Sequence, residues 1–387
     1  YSALNIDSEE RLQFVIHPEL DQSEELFQHL NTCNTHIGFN NIAFDYPVIH
    51  HFMKNYKSWK RSGCTAEDIV LLLYGKAQEI IQNQDNEGPG FSIRQKHWLV
   101  YQIDLFKMWH YNNKARRTSL KALSISLNWP NVLDMPIDHT RSSITRRELD
   151  DILYYNMNDV LVTYELFKKS RDKIELRKSI MNKYGLPCLS WNNGKIGEQL
   201  ILKLYCDRTG KDPFRVKELR TYRHKINLKD CVPENIEFKS KEFNRVKDFY
   251  LNRTITKTKG EIDYEVIYKG LKYVYGTGGI HAAIRPGVYS SDSKYIIKTL
   301  DVASLYPNIP LVYGFTIKHL GKEFLLIYKS DIVAVRLAEK AKPKDQQDKA
   351  IVDGYKEAAN VPYGKSNEIN SFLYDPLYSM QTTIAGQ

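Results

Sequence analysis

Leu300-Asp301-Val302-Ala303-Ser304-Leu305-Tyr306-Pro307 is the stretch that decides how this chain reads. It is entered through Tyr295-Ile-Ile-Lys-Thr-Leu300, a run with the look of a buried strand. A tight Ser-Leu-Tyr-Pro turn follows. A strand that delivers one Asp to its own end, with backbone N–H groups and an aromatic ring just beyond, can hold a divalent cation and a triphosphate together.

Downstream, two helices are expected over residues 331–340 and 350–363. Between them lies the polar, Pro-broken stretch Ala341-Lys-Pro-Lys-Asp-Gln-Gln-Asp348, which suits the tip of a helical hairpin. Lys356, Asn360, Tyr363 and Gly364 recur at i, i+4, i+7 and i+8, one face of a helix. Arg336 and Lys340, at i and i+4, share a face of the preceding helix. Cations converging on one triphosphate would neutralise it and hold its reacting phosphorus in line.

Upstream, strands alternate with helices to about residue 180, which argues for an α/β layer domain. Strands are expected over 12–17, 35–40 and 97–105. Helices are expected over 24–30, 47–56, 119–127 and 145–173, and Asp85-Asn-Glu-Gly-Pro-Gly90 reads as a break. Residues 190–290 are mixed and Lys-rich, with no strong periodicity before Tyr273. Gly38-Phe-Asn-Asn41-Ile-Ala-Phe44-Asp45 sets a carboxylate at a strand-to-helix junction. Tyr155-Asn-Met-Asn-Asp159 lies within a helix, where i, i+4 spacing puts the phenol and the carboxylate on one face. Hydrolysis of a phosphodiester by two cations about 3.5–4 Å apart needs several carboxylates and a group that orients the attacking water. Asp45 and Asp159 can supply metal ligands, and Tyr155 can orient the water.

Taken together these stretches resemble the family B DNA polymerases, and those of bacteriophages in particular. Asp301-x-x-Ser304-Leu305-Tyr306-Pro307 resembles motif A. The resemblance implies that Asp301 binds both catalytic cations, with Val302 also at the metal site. Ser304, Leu305 and Tyr306 would hold the incoming nucleotide, Tyr306 lying under its sugar and excluding a 2′-OH. Lys356-x-x-x-Asn360-x-x-Tyr363-Gly364 resembles motif B, although Val361-Pro362 stand where the family has Ser. It implies nucleotide contacts from Lys356 and Asn360, joined by Arg336 and Lys340, and DNA contacts from Tyr363 and Gly364. Asn41-x-x-Phe44-Asp45 and Tyr155-x-x-x-Asp159 resemble exonuclease motifs II and III, with Tyr154 marking the Tyr-type nuclease. Asn41 and Phe44 would then meet the frayed primer end. Ser119-Leu-Lys121-Ala-Leu resembles a further exonuclease element. Tyr275-Gly-Thr-Gly278-Gly279 resembles the template-contacting Y-x-G-G element, with one extra residue. The implied fold is α/β: an RNase H-like 3′–5′ exonuclease domain over 1–180, a connecting region over 181–290, and a partial palm with helical-hairpin fingers over 291–387. The implied cofactors are two Mg²⁺ or Mn²⁺ ions per site. The implied partners are primer-template DNA, dNTPs and phage replisome proteins.

Exonuclease motif I, Asp-x-Glu on a first strand, is expected upstream of Tyr1. Asp7-Ser-Glu9 has the letters, but it falls in a polar stretch read as an exposed loop. Motif C, a D-T-D hairpin, is expected beyond Gln387. The 55 residues between Asp301 and Lys356 leave no room for the insertion of protein-primed relatives and so argue against a terminal-protein primer.

The 387 residues carry a net charge of +9, which suits a polyanionic partner, and 26 tyrosines, which suit stacking on unpaired bases. Five scattered cysteines form no metal or disulfide pattern and fit a reducing cytoplasm, that of the host cell if phage-encoded. No apolar run approaches the roughly 18–20 residues of a membrane span. A stand-alone 3′–5′ exonuclease and a non-catalytic DNA-binding remnant are the competing readings. The first leaves the stretch 301–307 and the Lys356 helix unexplained.

Overall fold

The computed structural model describes residues 1–83, 93–138, 141, 144–302 and 304–387. The break expected at Asp85–Gly90 lies outside the described residues. The protein is mixed α/β, about 53% helical with small sheets. It divides into two units, Tyr1–Asn182 with Pro187–Asn192, and Lys183–Leu186 with Asn193–Gln387. Where three regions were expected, residues 193–387 thus fall in one unit.

In the first unit, β1 (Ser2–Leu4) pairs antiparallel with β2 (Arg11–Gln13), and β3 (Ile16–His17) with β4 (Leu20–Asp21). The expected single strand over 12–17 is therefore two short ones. Asp7, Ser8 and Glu9 lie exposed in the β1–β2 turn, as an exposed loop should. α1 (Ser23–Thr32) leads to β5 (Thr35–Gly38), then α2 (Asp45–Arg61) and α3 (Ala66–Gln82). β6 (Tyr101–Asp104) pairs parallel with β5, Gly38 opposite Asp104, and runs directly into α4 (Leu105–Met108). α5 (Leu120–Ser126) and the long α6 (Arg146–Tyr184) complete the unit.

α3 is a helix that periodicity missed. Ile69-Val-Leu-Leu-Leu73 is apolar on every side and shows no single stripe. The readable signal was its start: Thr65 and Asp68 form a reciprocal capping box. Apolar clusters among the described residues hold this unit. Leu26, Leu30, Phe52, Tyr56 and Ile69 join α1, α2 and α3. Ile103, Leu105, Met108, Leu123, Leu166 and Ile174 join β6 and α4 to α5 and α6.

The second unit opens with α7 (Asn193–Thr209) and α8 (Pro213–Glu218). β7 (Ile226–Asn227) and β8 (Thr254–Ile255) flank α9 (Lys241–Leu251), and β9 (Asp263–Tyr268), β10 (Leu271–Gly276) and β11 (Gly279–Ala282) form an antiparallel meander. α10 (Leu305–Tyr313), α11 (Gly321–Ile327), α12 (Ala334–Lys340), α13 (Lys349–Lys365) and α14 (Pro376–Gly386) follow. A π-helical turn, Tyr328–Val333, joins α11 to α12. Lys344–Gln346 forms a 3₁₀ turn in the polar stretch before α13.

α7 was also unread, because its buried positions are contiguous as well as periodic: Ile196-Gly197 and Leu200-Ile201-Leu202. Gly197 lets it approach α13 closely. A Cβ there would stand 2.6 Å from the Glu357 carbonyl oxygen, so only glycine fits. α13 continues through Pro362 to Lys365, although proline removes the donor that Ala358's carbonyl would otherwise receive. The Tyr328 hydroxyl donates to the neighbouring Ala359 carbonyl at 2.5 Å.

The strand expected over 295–300 does not form. This stretch is irregular, with Leu300 91% and Ile296 75% exposed. A strand exists only where a neighbour accepts and donates along its edge, and none among the described residues pairs here. Local acceptors take the backbone donors instead. Asp292 Oδ1 accepts from Lys294 N and Tyr295 N at 2.7 Å, and Ser291 Oγ accepts from Ile297 N at 3.0 Å.

Among the described residues no helix is long and apolar enough to cross a membrane.

Candidate functional sites

Each unit carries its own candidate site. In the first, the chain leaves β5 at Gly38 and turns at Asn40, whose φ of 63° lies in the left-handed region. The Asn40 carbonyl accepts from Ala43 N and Phe44 N, and the Asn41 carbonyl accepts from Tyr46 N at 2.8 Å. This turn delivers Asp45 to the first position of α2. Asp159 stands in the middle of α6, and its carboxylate accepts a hydrogen bond from the Tyr155 hydroxyl one turn earlier.

Asp45 and Asp159 are 114 positions apart in sequence, yet their charges interact across the fold. Asp45 is exposed at the head of α2, yet the protein packed about its carboxylate raises its pKa to about 6, with Asp104 and Asp159 adding to the rise. Burial also raises the pKa of Asp159, against the Tyr155 hydrogen bond that lowers it. The Tyr155 phenol is pushed up by burial, then by Asp159 and Asp134.

Carboxylates that repel one another are relieved by a nearby cation. Asp45 and Asp159 are therefore the candidate ligands of a divalent ion, with Tyr155 hydrogen-bonded to Asp159. Among the described residues no three His, Cys, Asp or Glu side chains come together as a metal-holding group.

Two acidic residues near this site have no role assigned from sequence. Asp104 is fully buried beneath the Asn40 turn. Asp134 pairs with Lys121 and lies close enough to Tyr155 to act on it. Lys121 is thus tied to the site through a carboxylate. Asp104 had a legible signal, an Asp closing the β6 strand pattern just before a helix, the place of a helix cap. Asn41 is 6% exposed, and Phe44 is half-buried.

A pH effect follows from Asp45. Its folded pKa is raised above the usual 3.8, so the fold disfavours the ionised form, and that penalty grows as pH rises from about 4 through about 6. A bound cation requires the ionised form and must displace the proton at lower pH. Mn²⁺ affinity is expected to be flat above about pH 6.5 and to fall about tenfold per pH unit below about 6. A titration followed by Mn²⁺ paramagnetic resonance checks this, and a flat affinity from pH 7 to 5 would remove Asp45 from the ligands.

In the second unit, Asp301 and Val302 lie exposed in irregular chain rather than at a strand end. That placement does not fit a two-cation site. What this half offers is a helix face and a pair of rings. Ser304, at φ 54°, turns the chain into α10, with half-buried Leu305 at its first position. The Tyr306 ring lies on the Tyr363 ring, centroids 4.4 Å apart and planes 12° from parallel. The Tyr363 hydroxyl is 3.1 Å from Thr383 Oγ1 on α14.

α13 buries Tyr355, Ala358, Ala359, Val361 and Pro362 and leaves Lys356, Asn360 and Gly364 exposed, with Tyr363 half-exposed. Lys340 is exposed at the end of α12. Arg336 instead reaches the Val352 carbonyl at 3.0 Å, so its guanidinium joins α12 to α13.

Tyr275 is not at a surface. It is 4% exposed within the apolar cluster of β9, β10, α9 and α14, its ring near that of Tyr250. Strand alternation turned it inward, because Val274 and Tyr275 must face opposite sides of β10. The hairpin pairs Gly276 with Gly279, and Gly278 is exposed in the two-residue turn between them.

No family model, curated protein or solved structure was found to match this chain.

Proposed function

We propose that this chain is a DNA-templated DNA polymerase of family B, of the bacteriophage kind, with a proofreading 3′–5′ exonuclease in its RNase H-like N-terminal unit. The observation that carries this reading is the Tyr306–Tyr363 stack. It joins the ring of the Ser-Leu-Tyr-Pro turn to the helix whose open face presents Lys356 and Asn360. A nucleotide sugar above Tyr306 would bring its phosphates toward that face, where Lys356, with Lys340, supplies positive charge. Tyr306, held by Tyr363, would leave no space for a 2′-OH.

In the nuclease half, Asp45 and Asp159 would hold a divalent cation, Mg²⁺ or Mn²⁺. When bound, such an ion supplies charge stabilisation to a phosphodiester under attack and acidifies water. The Tyr155 hydroxyl, fixed by Asp159, would orient that water. Asn41 and Phe44 would hold the unpaired 3′ end, and Lys121 would meet its phosphate. Primer-template DNA, deoxynucleoside triphosphates and phage replication proteins are the partners in this reading, in the cytoplasm of the host.

The exposed setting of Asp301 favours a second reading, a DNA-binding 3′–5′ exonuclease whose other half does not polymerise.

Triphosphate binding separates the two. The native chain is expected to bind dATP more tightly than ATP. Lys356→Ala should weaken both by roughly 10- to 100-fold, the loss of one charge-assisted contact of about 1.5–3 kcal/mol. Tyr306→Val should bring the two affinities together. Calorimetry that finds no triphosphate binding, or equal affinities in the native chain, would favour the nuclease reading.

A further inference from the structure

Asn41 and the backbone of the turn before Asp45 take their positions from β6, the strand alongside. Gln102 and Asp104 are two residues apart on that strand, and their side chains face the same way. Both are buried, at 1% and 0% exposure. Asp104 Oδ1 accepts from Asn40 N at 3.1 Å, and its Oδ2 accepts from Ile42 N at 3.4 Å. Oδ1 also accepts from Phe106 N at 3.0 Å and Lys107 N at 3.3 Å, which caps α4. One carboxylate thus ties the left-handed turn to the strand and helix beside it.

Gln102 fixes a side chain in the same turn. Its Nε2 donates to the Val100 carbonyl at 3.1 Å, which leaves Oε1 as the acceptor for Asn41 Nδ2 at 2.8 Å. The Asn41 amide is thereby oriented. Its Oδ1 is left as a buried acceptor without a partner, which a folded chain leaves bare only at a cost.

We propose that Gln102 and Asp104 are positioning residues of the nuclease site: Asp104 sets the turn that places Asp45, and Gln102 aligns the Asn41 amide so that its oxygen stays free. Neither is a ligand in this arrangement; each acts through the Asn40–Asp45 turn. The inference rests on the nuclease reading of Asp45 and Asp159.

The test uses the whole chain and Mn²⁺ alone, with affinity read by paramagnetic resonance at pH 7.5, well below the melting temperature of each variant. Asp104→Ala is expected to weaken Mn²⁺ by about 10- to 100-fold, the usual effect of losing a group that orients a ligand. Asp104→Asn keeps an acceptor for Asn40, Phe106 and Lys107 and should fall between it and the native protein. Gln102→Met should leave Mn²⁺ affinity within about threefold but weaken binding of a single-stranded oligothymidylate. A purely structural role would lower the melting temperatures while the folded variants kept native Mn²⁺ affinity, and that result would overturn the proposal. If Asp104→Ala does not fold, Asp104→Asn decides, with hydrogen exchange at the Asn40 and Ile42 amides as second readout. Native exchange and native affinity in that variant would also overturn it. Failure of the nuclease reading is distinct: the native chain would then bind Mn²⁺ no better than Asp45→Asn, and the proposal would fall with it.

Discussion

Asp159→Ala is expected to reduce Mn²⁺-dependent degradation of single-stranded DNA from its 3′ end by about 100-fold or more. In the proposed nuclease, Asp159 would be one of two carboxylate ligands of the cation, and it accepts the hydrogen bond of the Tyr155 hydroxyl. Its loss would remove a ligand and the orientation of the water together. Tyr155→Phe should cost less, because the ligand stays and only the hydroxyl goes. Asp45→Ala should match Asp159→Ala. A labelled oligonucleotide followed over time in Mn²⁺ checks all three. Degradation that persists in Asp159→Ala, or that Tyr155→Phe abolishes while Asp159→Ala does not, would refute the site.

The largest effect on stability is expected at Asp375, a residue of no catalytic role in this reading. It is 1% exposed and receives Arg223 through Nε at 2.7 Å and Nη2 at 3.2 Å. Lys318 N donates to it at 3.1 Å, and Leu377 N at 3.3 Å caps α14. It therefore joins three separate stretches of the second unit. Asp375→Ala leaves a largely buried guanidinium unpaired and should cost about 3–5 kcal/mol. Arg223→Met in the same protein should restore part of the loss, because the uncompensated charge is then gone. Urea unfolding of the two variants measures both. A cost below about 1 kcal/mol for Asp375→Ala would mean that water screens the pair as it does at a surface.

The first unit was legible in outline because its signals are local. Strand, helix and turn chemistry at 35–40, 47–56 and 145–173 depend on neighbouring residues, and β5, α2 and α6 stand there. The second unit was legible in its helices and not in its strand. Lys356, Asn360 and Gly364 share an exposed face because 3.6 residues make a turn, whatever lies around them. A run such as Tyr295–Leu300 becomes a strand only if another strand lies beside it, and an apolar run cannot report its neighbour.

The sequence by itself therefore determined which residues lie on one turn or one helix face: Tyr155 with Asp159, Lys356 with Asn360, and Asp45 at the head of its helix. Only the tertiary structure decided which of these meet. It put Asp45 within electrostatic reach of Asp159, laid Tyr306 on Tyr363, buried Tyr275 and paired Lys121 with Asp134. It also put Gln102 and Asp104 under the Asn40 turn. The physical reason is one of range. Backbone periodicity fixes relations over a few residues, whereas a contact across a hundred residues exists only where packing elsewhere has already brought the two stretches together.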